Sequence, residues 1–117
     1  MNQKILQERL VNFSVAVVDF TRNLPPSFVS SHLSKQIIRS ATSSALNYGE
    51  ATSAESKADF IHKLRLVLKE LKESFVCLKI IAKCESLEAA TFSSLHHETN
   101  ELISIFVATI NSLNNKH

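Results

Sequence analysis

The chain has 117 residues, of which 44% are apolar and 21% charged. That is enough for one domain, residues 1–117, with a hydrophobic core of its own, and it excludes a disordered or collagen-like chain. The net charge of +2 is too small to imply a polyanionic partner by itself, and one Gly with two Pro leaves few turns, so the elements must be few and long.

Leu6, Leu10, Phe13, Val17, Phe20 and Leu24 step by four and three, which predicts a first helix over about 3–23. Pro25-Pro26 stops it, because proline lacks an N–H and clashes with the preceding turn. Ser27 is placed to cap a second helix over 28–51, with Leu33, Ile37, Ala41, Ser44 or Ala45, and Tyr48 on its seam. Its second half is rich in small residues, which let a neighbouring backbone approach, and Gly49 is read as an interior residue at a close crossing.

Ser56 with Asp59 resembles a capping box and opens the longest helix, 56–83. Phe60, Leu64, Val67, Leu68, Leu71, Phe75, Leu78 and Ala82 supply its expected core face. Leu66, Val76, Cys77 and Ile80 form a second apolar patch, read as an oligomer interface. Between the two faces the spacing places Arg65, Lys69, Lys72, Lys79 and Lys83, a basic stripe suited to the phosphates of a nucleic acid. A solvated lysine face is the plainer reading, since no aromatics are interleaved for base stacking.

Ser86 is the expected cap of a fourth helix over 88–114, with Phe92, Leu95, Thr99, Leu102, Phe106, Ile110 and Leu113 on its seam and a frayed tail from Asn114 to His117. Residues 35–83 hold nine Lys/Arg against five Asp/Glu, whereas 84–115 hold four Glu and no Lys or Arg. The acidic fourth helix is therefore a counter-surface for the basic third, within or between subunits. Four amphipathic helices with short links are most economically an all-α, antiparallel up-down-up-down bundle.

Cys77 and Cys84 stand two turns apart on one helix, roughly 10 Å, too far to bridge each other. They read as free thiols of a reducing compartment. Lys4, Glu8 and Arg9 interrupt the first apolar segment and no run reaches transmembrane length, so the expectation is a cytoplasmic protein without membrane contact.

The second and third helices carry polar residues where an ordinary core would carry leucine. Arg39, Ser43, Ser44, Asn47 and Glu50 on one, with Glu70 and Glu73 on the other, fall at matching depth if the helices run antiparallel. Buried polar groups need partners, so these seven are expected to share a structural network, with Asn47 and the serines bonded to a glutamate and Arg39 neutralising a carboxylate.

The same stretch carries a family resemblance. Gln36-x-x-Arg39-Ser40-x-x-Ser43, Asn47-Tyr48-x-Glu50-Ala51, Ala54-Glu55-Ser56-Lys57-x-Asp59-Phe60-x-x-Lys63-Leu64 and Leu68-Lys69-Glu70-x-x-Glu73-Ser74 resemble the bacterial four-helix-bundle family encoded in intervening sequences of large-subunit ribosomal RNA. The accessory variability proteins of diversity-generating retroelements are similar to it. The likeness covers roughly residues 10–85. It departs after Glu-Ser, where the family often has an aromatic pair and this chain has Phe75-Val76. The resemblance implies a small cytoplasmic bacterial protein whose bundles associate as a homopentamer. By analogy with the retroelement relatives, it also implies a basic surface that meets RNA or a nucleic-acid enzyme.

Arg39, Glu70 and Glu73 could alternatively form a catalytic cluster, but no glycine loop, nucleophile elbow or cofactor motif accompanies them. Neither a cofactor nor a small-molecule substrate is expected. Of the five histidines, only His97 with Glu101 has a spacing fit for a metal, and the Glu-x-x-His pairs of di-iron bundles do not occur. The reading is therefore a non-enzymatic binding or scaffold module, with a small enzyme or a purely protein-binding adaptor as alternatives.

Overall fold

A computed structural model describes residues 2–115. In chain order it has α1 (Gln3–Arg22), α2 (Phe28–Ala51), α3 (Lys57–Cys84) and α4 (Ala89–Asn114). The first three helices start where a side-chain oxygen can accept an orphan amide. Asn2, Ser27 and Ser56 each take the N–H three residues on, from Ile5, Ser30 and Asp59. Of the tail expected from Asn114 to His117, Lys116 and His117 lie outside the described residues.

Ser86 does not cap α4, as the sequence suggested. It closes α3 instead, with φ 50° in the left-handed region. The Leu87 N–H donates to the Ala82 carbonyl at 2.9 Å and the Ser86 N–H to that of Lys83 at 3.3 Å, the two bonds of a Schellman motif. The turn is completed with serine where glycine is usual. The residue before α4 is Glu88, which makes no side-chain capping bond.

The order of cross-helix contacts fixes the topology. Gln7 reaches the Ala45 carbonyl and Ser14 that of Ala41, so α1 and α2 run antiparallel. Cys77 meets the Leu33 carbonyl, Ser74 meets Ser40, and Lys63 meets Glu50, so α2 and α3 do too. The four-residue corner after Cys84 returns α4 along α3. The result is a rod of 49 × 21 × 20 Å. Ser27 and Ser30 both donate to the Glu85 carboxylate, at 3.3 and 2.5 Å, and so tie the α1–α2 corner to the α3–α4 corner at one end.

All four helices feed one hydrophobic cluster, with Leu10, Phe13, Ile37, Leu64, Leu71, Leu78, Leu102 and Phe106 almost wholly enclosed. The Phe106 ring meets the Tyr48 ring edge-on at 5.6 Å across the bundle. The core face of α3 is rotated from the one expected. Ile61, Cys77 and Ile81 are buried, whereas Phe60, Leu68 and Phe75 lie at the margin. Gly49 is inside α2, as read. A Cβ there would stand 3.4 Å from Gln7 Oε1, an ordinary contact, so the crossing tolerates glycine without demanding it.

Helices α2 and α3 share the most extensive interface, and α1 meets α4 over the shortest. The small residues of α2 explain the first: Ser40, Ala41 and Ser44 are fully buried and let α3 approach. Among the described residues no helix is long and apolar enough to cross a membrane.

Candidate functional site

The polar seam between α2 and α3 is real but has different members from those expected. Its enclosed part is a serine pair: Ser40 and Ser74 hydroxyls meet at 2.7 Å, both buried, and Ser74 also donates to the Glu70 carbonyl at 2.9 Å. Its outer part is Arg39, whose guanidinium donates to Glu70 at 3.2 Å and to Glu73. Arg39 is 56% exposed while Glu70 is 11% exposed, so the cation lies over a nearly buried carboxylate as a lid. An arginine whose tip stays in water avoids the desolvation cost of a fully buried pair.

Asn47, Ser43, Ser44 and Glu50 do not join this network. Asn47 is half-buried and, among the described residues, bonds neither Glu70 nor Glu73. Ser43 has no such bond either, while Ser44 donates back to the Ala41 carbonyl one turn away at 2.6 Å. Glu50 accepts from Lys63 at 2.9 Å near the far end of the bundle. For Ser44 the physical reason is reach: its hydroxyl bonds its own backbone one turn back and does not span the helix gap.

The second apolar patch also divides. Cys77 is buried in the core beside the Leu33 carbonyl, with Sγ 3.7 Å from the oxygen. Burial, with Glu73 contributing less, pushes its thiol pKa up. Cys84 is free and exposed. Leu66 is half-buried. Only Val76 and Ile80 face solvent, at 55% and 44% exposure.

These two apolar residues do not stand apart from the basic stripe. At 100° per residue, Arg65, Lys69, Lys72, Val76, Lys79, Ile80 and Lys83 share one sector of about 100°, and all seven are exposed. The solvent face of α3 is thus basic along its first half and mixed basic-apolar along its second. Lys79 Nζ lies 5.2 Å from the Phe75 ring centroid, a cation–π contact. Among the described residues none of the five cations forms an ion pair with a carboxylate.

The fourth feature escaped the sequence reading. Between the C-terminal half of α1 and the N-terminal half of α4 the helices part around a groove of about 620 Å³. Phe13, Phe20, Leu24, Leu87 and Leu95 line it, with Asp19 and Glu98 among its polar groups and no Lys or Arg. Small side chains at Ala16, Thr91 and Ser94 leave the gap. Below it, Arg9 clamps the seam. Its Nε and Nη2 donate to both Glu98 oxygens at 2.9 and 2.7 Å, and Nη2 also meets Glu101 at 2.9 Å. Arg9 in turn lowers the pKa of Glu101, through its hydrogen bond first and its charge second. Neither Arg39, Glu70 nor Glu73 lines this groove. Among the described residues no group of three or more His, Cys, Asp or Glu could hold a metal ion. His97 meets Glu101 at 3.4 Å as a solvent-side pair.

Residues 2–108 match the family model described as 23S rRNA-intervening sequence protein. The chain belongs to this family. The match takes in most of α4, well past the span over which the sequence motifs carried the likeness. As an intervening-sequence protein it is also similar to a crystal structure of a protein of unknown function from the S23 ribosomal protein family of Bacteroides thetaiotaomicron. The two share 31% identity and a TM-score of 0.84, over 95% of this chain and 99% of that one. No curated protein matches the sequence.

Two elements of this family member escaped the sequence reading. The Arg9 clamp had no sequence signal beyond a lone Arg on a polar flank. The groove had one, the run of small or polar side chains at Asn12, Ala16, Asp19 and Asn23 beside the phenylalanines.

Proposed function

We propose that this intervening-sequence protein is a non-enzymatic, cytoplasmic, homo-oligomeric scaffold that binds RNA through the solvent face of α3. The observation that carries the reading is the uncompensated stripe of Arg65, Lys69, Lys72, Lys79 and Lys83 on one helix face. Cations without carboxylate partners are free to displace the counterions of a phosphate backbone, which yields affinity without base reading. The lack of an exposed aromatic platform on that face fits sequence-independent contact.

Self-association, as a pentamer by resemblance to the family, is supported by apolar side chains left in water: Val11, Val15, Leu46, Val76 and Ile80 are each at least 40% exposed. Repeating the stripe around a ring would multiply weak phosphate contacts into useful avidity. The catalytic alternative gains nothing from the geometry, because Arg39 and Glu73 lie on the open surface over a nearly buried Glu70 and none of the three lines the α1–α4 groove.

Filter binding of single-stranded RNA across a salt series tests the RNA clause. The Arg65→Glu/Lys69→Glu variant should bind at least about tenfold more weakly, with a salt slope lower by about 2. Circular dichroism should show the helices intact. Absent, salt-insensitive or unchanged binding overturns it. Pull-down with and without nuclease then separates an RNA partner from a nucleic-acid enzyme or another protein. Light scattering tests the self-association clause, and a monomer at high concentration overturns that.

A further inference from the structure

We propose that the groove between α1 and α4 is the seat for the second half of α3 from a neighbouring copy, with Val76 and Ile80 inserted between the helices. The proposal rests on the self-association reading and names the two surfaces that would meet.

Three observations carry it. The first is chemical fit. The groove is apolar at its base, through Phe20, Leu24, Leu87 and Leu95. Its only Asp/Glu/Lys/Arg residues are Asp19 and Glu98. The helix face opposite in character lies on the same chain: Val76 and Ile80, one turn apart and half in water, flanked by Lys72, Lys79 and Lys83. Arg9 is shared between Glu98 and Glu101, so that cluster keeps one negative charge. The Asp19–Arg22 pair, at 3.4 Å and largely exposed, holds its carboxylate only weakly.

The second observation is height. The groove uses residues from Asn12 to Leu24 and from Leu87 to Glu98, and the ridge uses Lys72 to Lys83. The α3–α4 corner, Glu85 to Glu88, joins the top of the ridge to the top of the groove, and Glu85 is bonded to Ser27 and Ser30 beside the end of α1. Both surfaces therefore occupy the same end of the rod. A contact between unlike surfaces at equal height can be repeated by rotation about an axis parallel to the rod without a rise along it, the condition a closed ring requires.

The third is geometry within one subunit. Helices α1 and α3 do not contact each other, being diagonal in the bundle. The ridge cannot fill the groove of its own chain. Only another copy can bring them together. The partition takes Lys72, Lys79 and Lys83 into the contact and so narrows the RNA face of the assembly to Arg65 and Lys69, in the purely basic half.

Cross-linking tests the seat. In a Cys84→Ser background, Ala16→Cys and Val76→Cys proteins are made separately, mixed and oxidised. A disulfide-linked dimer should form only in the mixture, and the double variant should give a ladder that ends at the subunit number. Lys79→Glu should weaken association at least about tenfold, and Asp19→Lys added to it should restore most of the loss. An oligomer by light scattering that neither cross-links nor responds to Lys79→Glu overturns the seat while leaving self-association standing. A protein that stays monomeric overturns both.

Discussion

The bundle is closed along α2–α3 and open along α1–α4, although all four helices feed the same hydrophobic cluster. Along α2–α3 Ser40 meets Ser74, Ala41 and Ser44 on α2 are small and fully buried, and every enclosed hydroxyl has a partner. The backbones approach and the seam excludes water. Along α1–α4 large rings at Phe13 and Phe20 alternate with Ala16, and opposite them Leu95 alternates with Thr91 and Ser94. The rings hold the helices apart, the small residues do not fill the space, and a guanidinium shared by two carboxylates supplies the remaining tie. Small residues therefore tighten an interface only when they face other small residues. Set between large ones, they open it.

The sharpest way to break this contrast is one substitution of the same kind on each side. Ser40→Leu forces a branched side chain into a seam without spare volume and orphans the Ser74 hydroxyl from its cross-helix partner. It should cost about 3 kcal/mol in urea unfolding. Ala16→Leu places its side chain in the groove and should shift stability by less than about 0.5 kcal/mol. Similar costs at the two sites would mean that the seams do not differ in packing.

A smaller effect is expected from Arg9→Met, which keeps the aliphatic stem and removes the clamp. A partly exposed bidentate pair contributes about 1 kcal/mol, so the loss should be of that size. The groove should widen, seen as faster amide exchange in the first turns of α4. Unchanged exchange there would show that apolar contact alone holds α1 to α4.

The smallest effect is in pH. Arg9 holds the Glu101 carboxyl below its usual range, mainly by hydrogen bonding. A depressed folded pKa means a contribution present above the ordinary carboxylate value, about 4.3. It is lost as the pH falls through the lower folded value. The stability gap between the parent and Arg9→Met should thus be constant near neutrality and narrow below about pH 4. A gap independent of pH would assign the Arg9 effect to packing. Arg9 itself, raised by Glu98 first and Glu101 second, stays charged throughout.

Most of the fold was legible in the order of residues. The 3.6-residue period, Pro25-Pro26, and the serines at 27 and 56 located all four helices within a residue of their bounds. The motifs from Gln36 to Ser74 pointed to the family that residues 2–108 match. The one local misreading was Ser86. A serine before a helix is statistically a cap, and nothing nearby signals that its backbone will turn left-handed to close the helix behind it. The candidate site was legible in part. Arg39 with Glu70 and Glu73 came out as a group, and the α3 cations share a face. Asn47 and Cys77 were misplaced, the first because a half-buried amide can go unshared, the second because its direction lies on the flank of α3 and periodicity does not resolve which neighbour covers it.

Helix number, length and N-terminal caps at Ser27 and Ser56 are set by residues taken a few turns at a time, since capping and amphipathic period are local. Which seam seals and which gapes is not, because it depends on pairs of side-chain volumes drawn from two helices at a set distance and angle. The serine pair, the lid of Arg39, the Arg9 clamp and the groove all belong to that second kind. Each exists only where residues 31 to 89 positions apart are brought within reach.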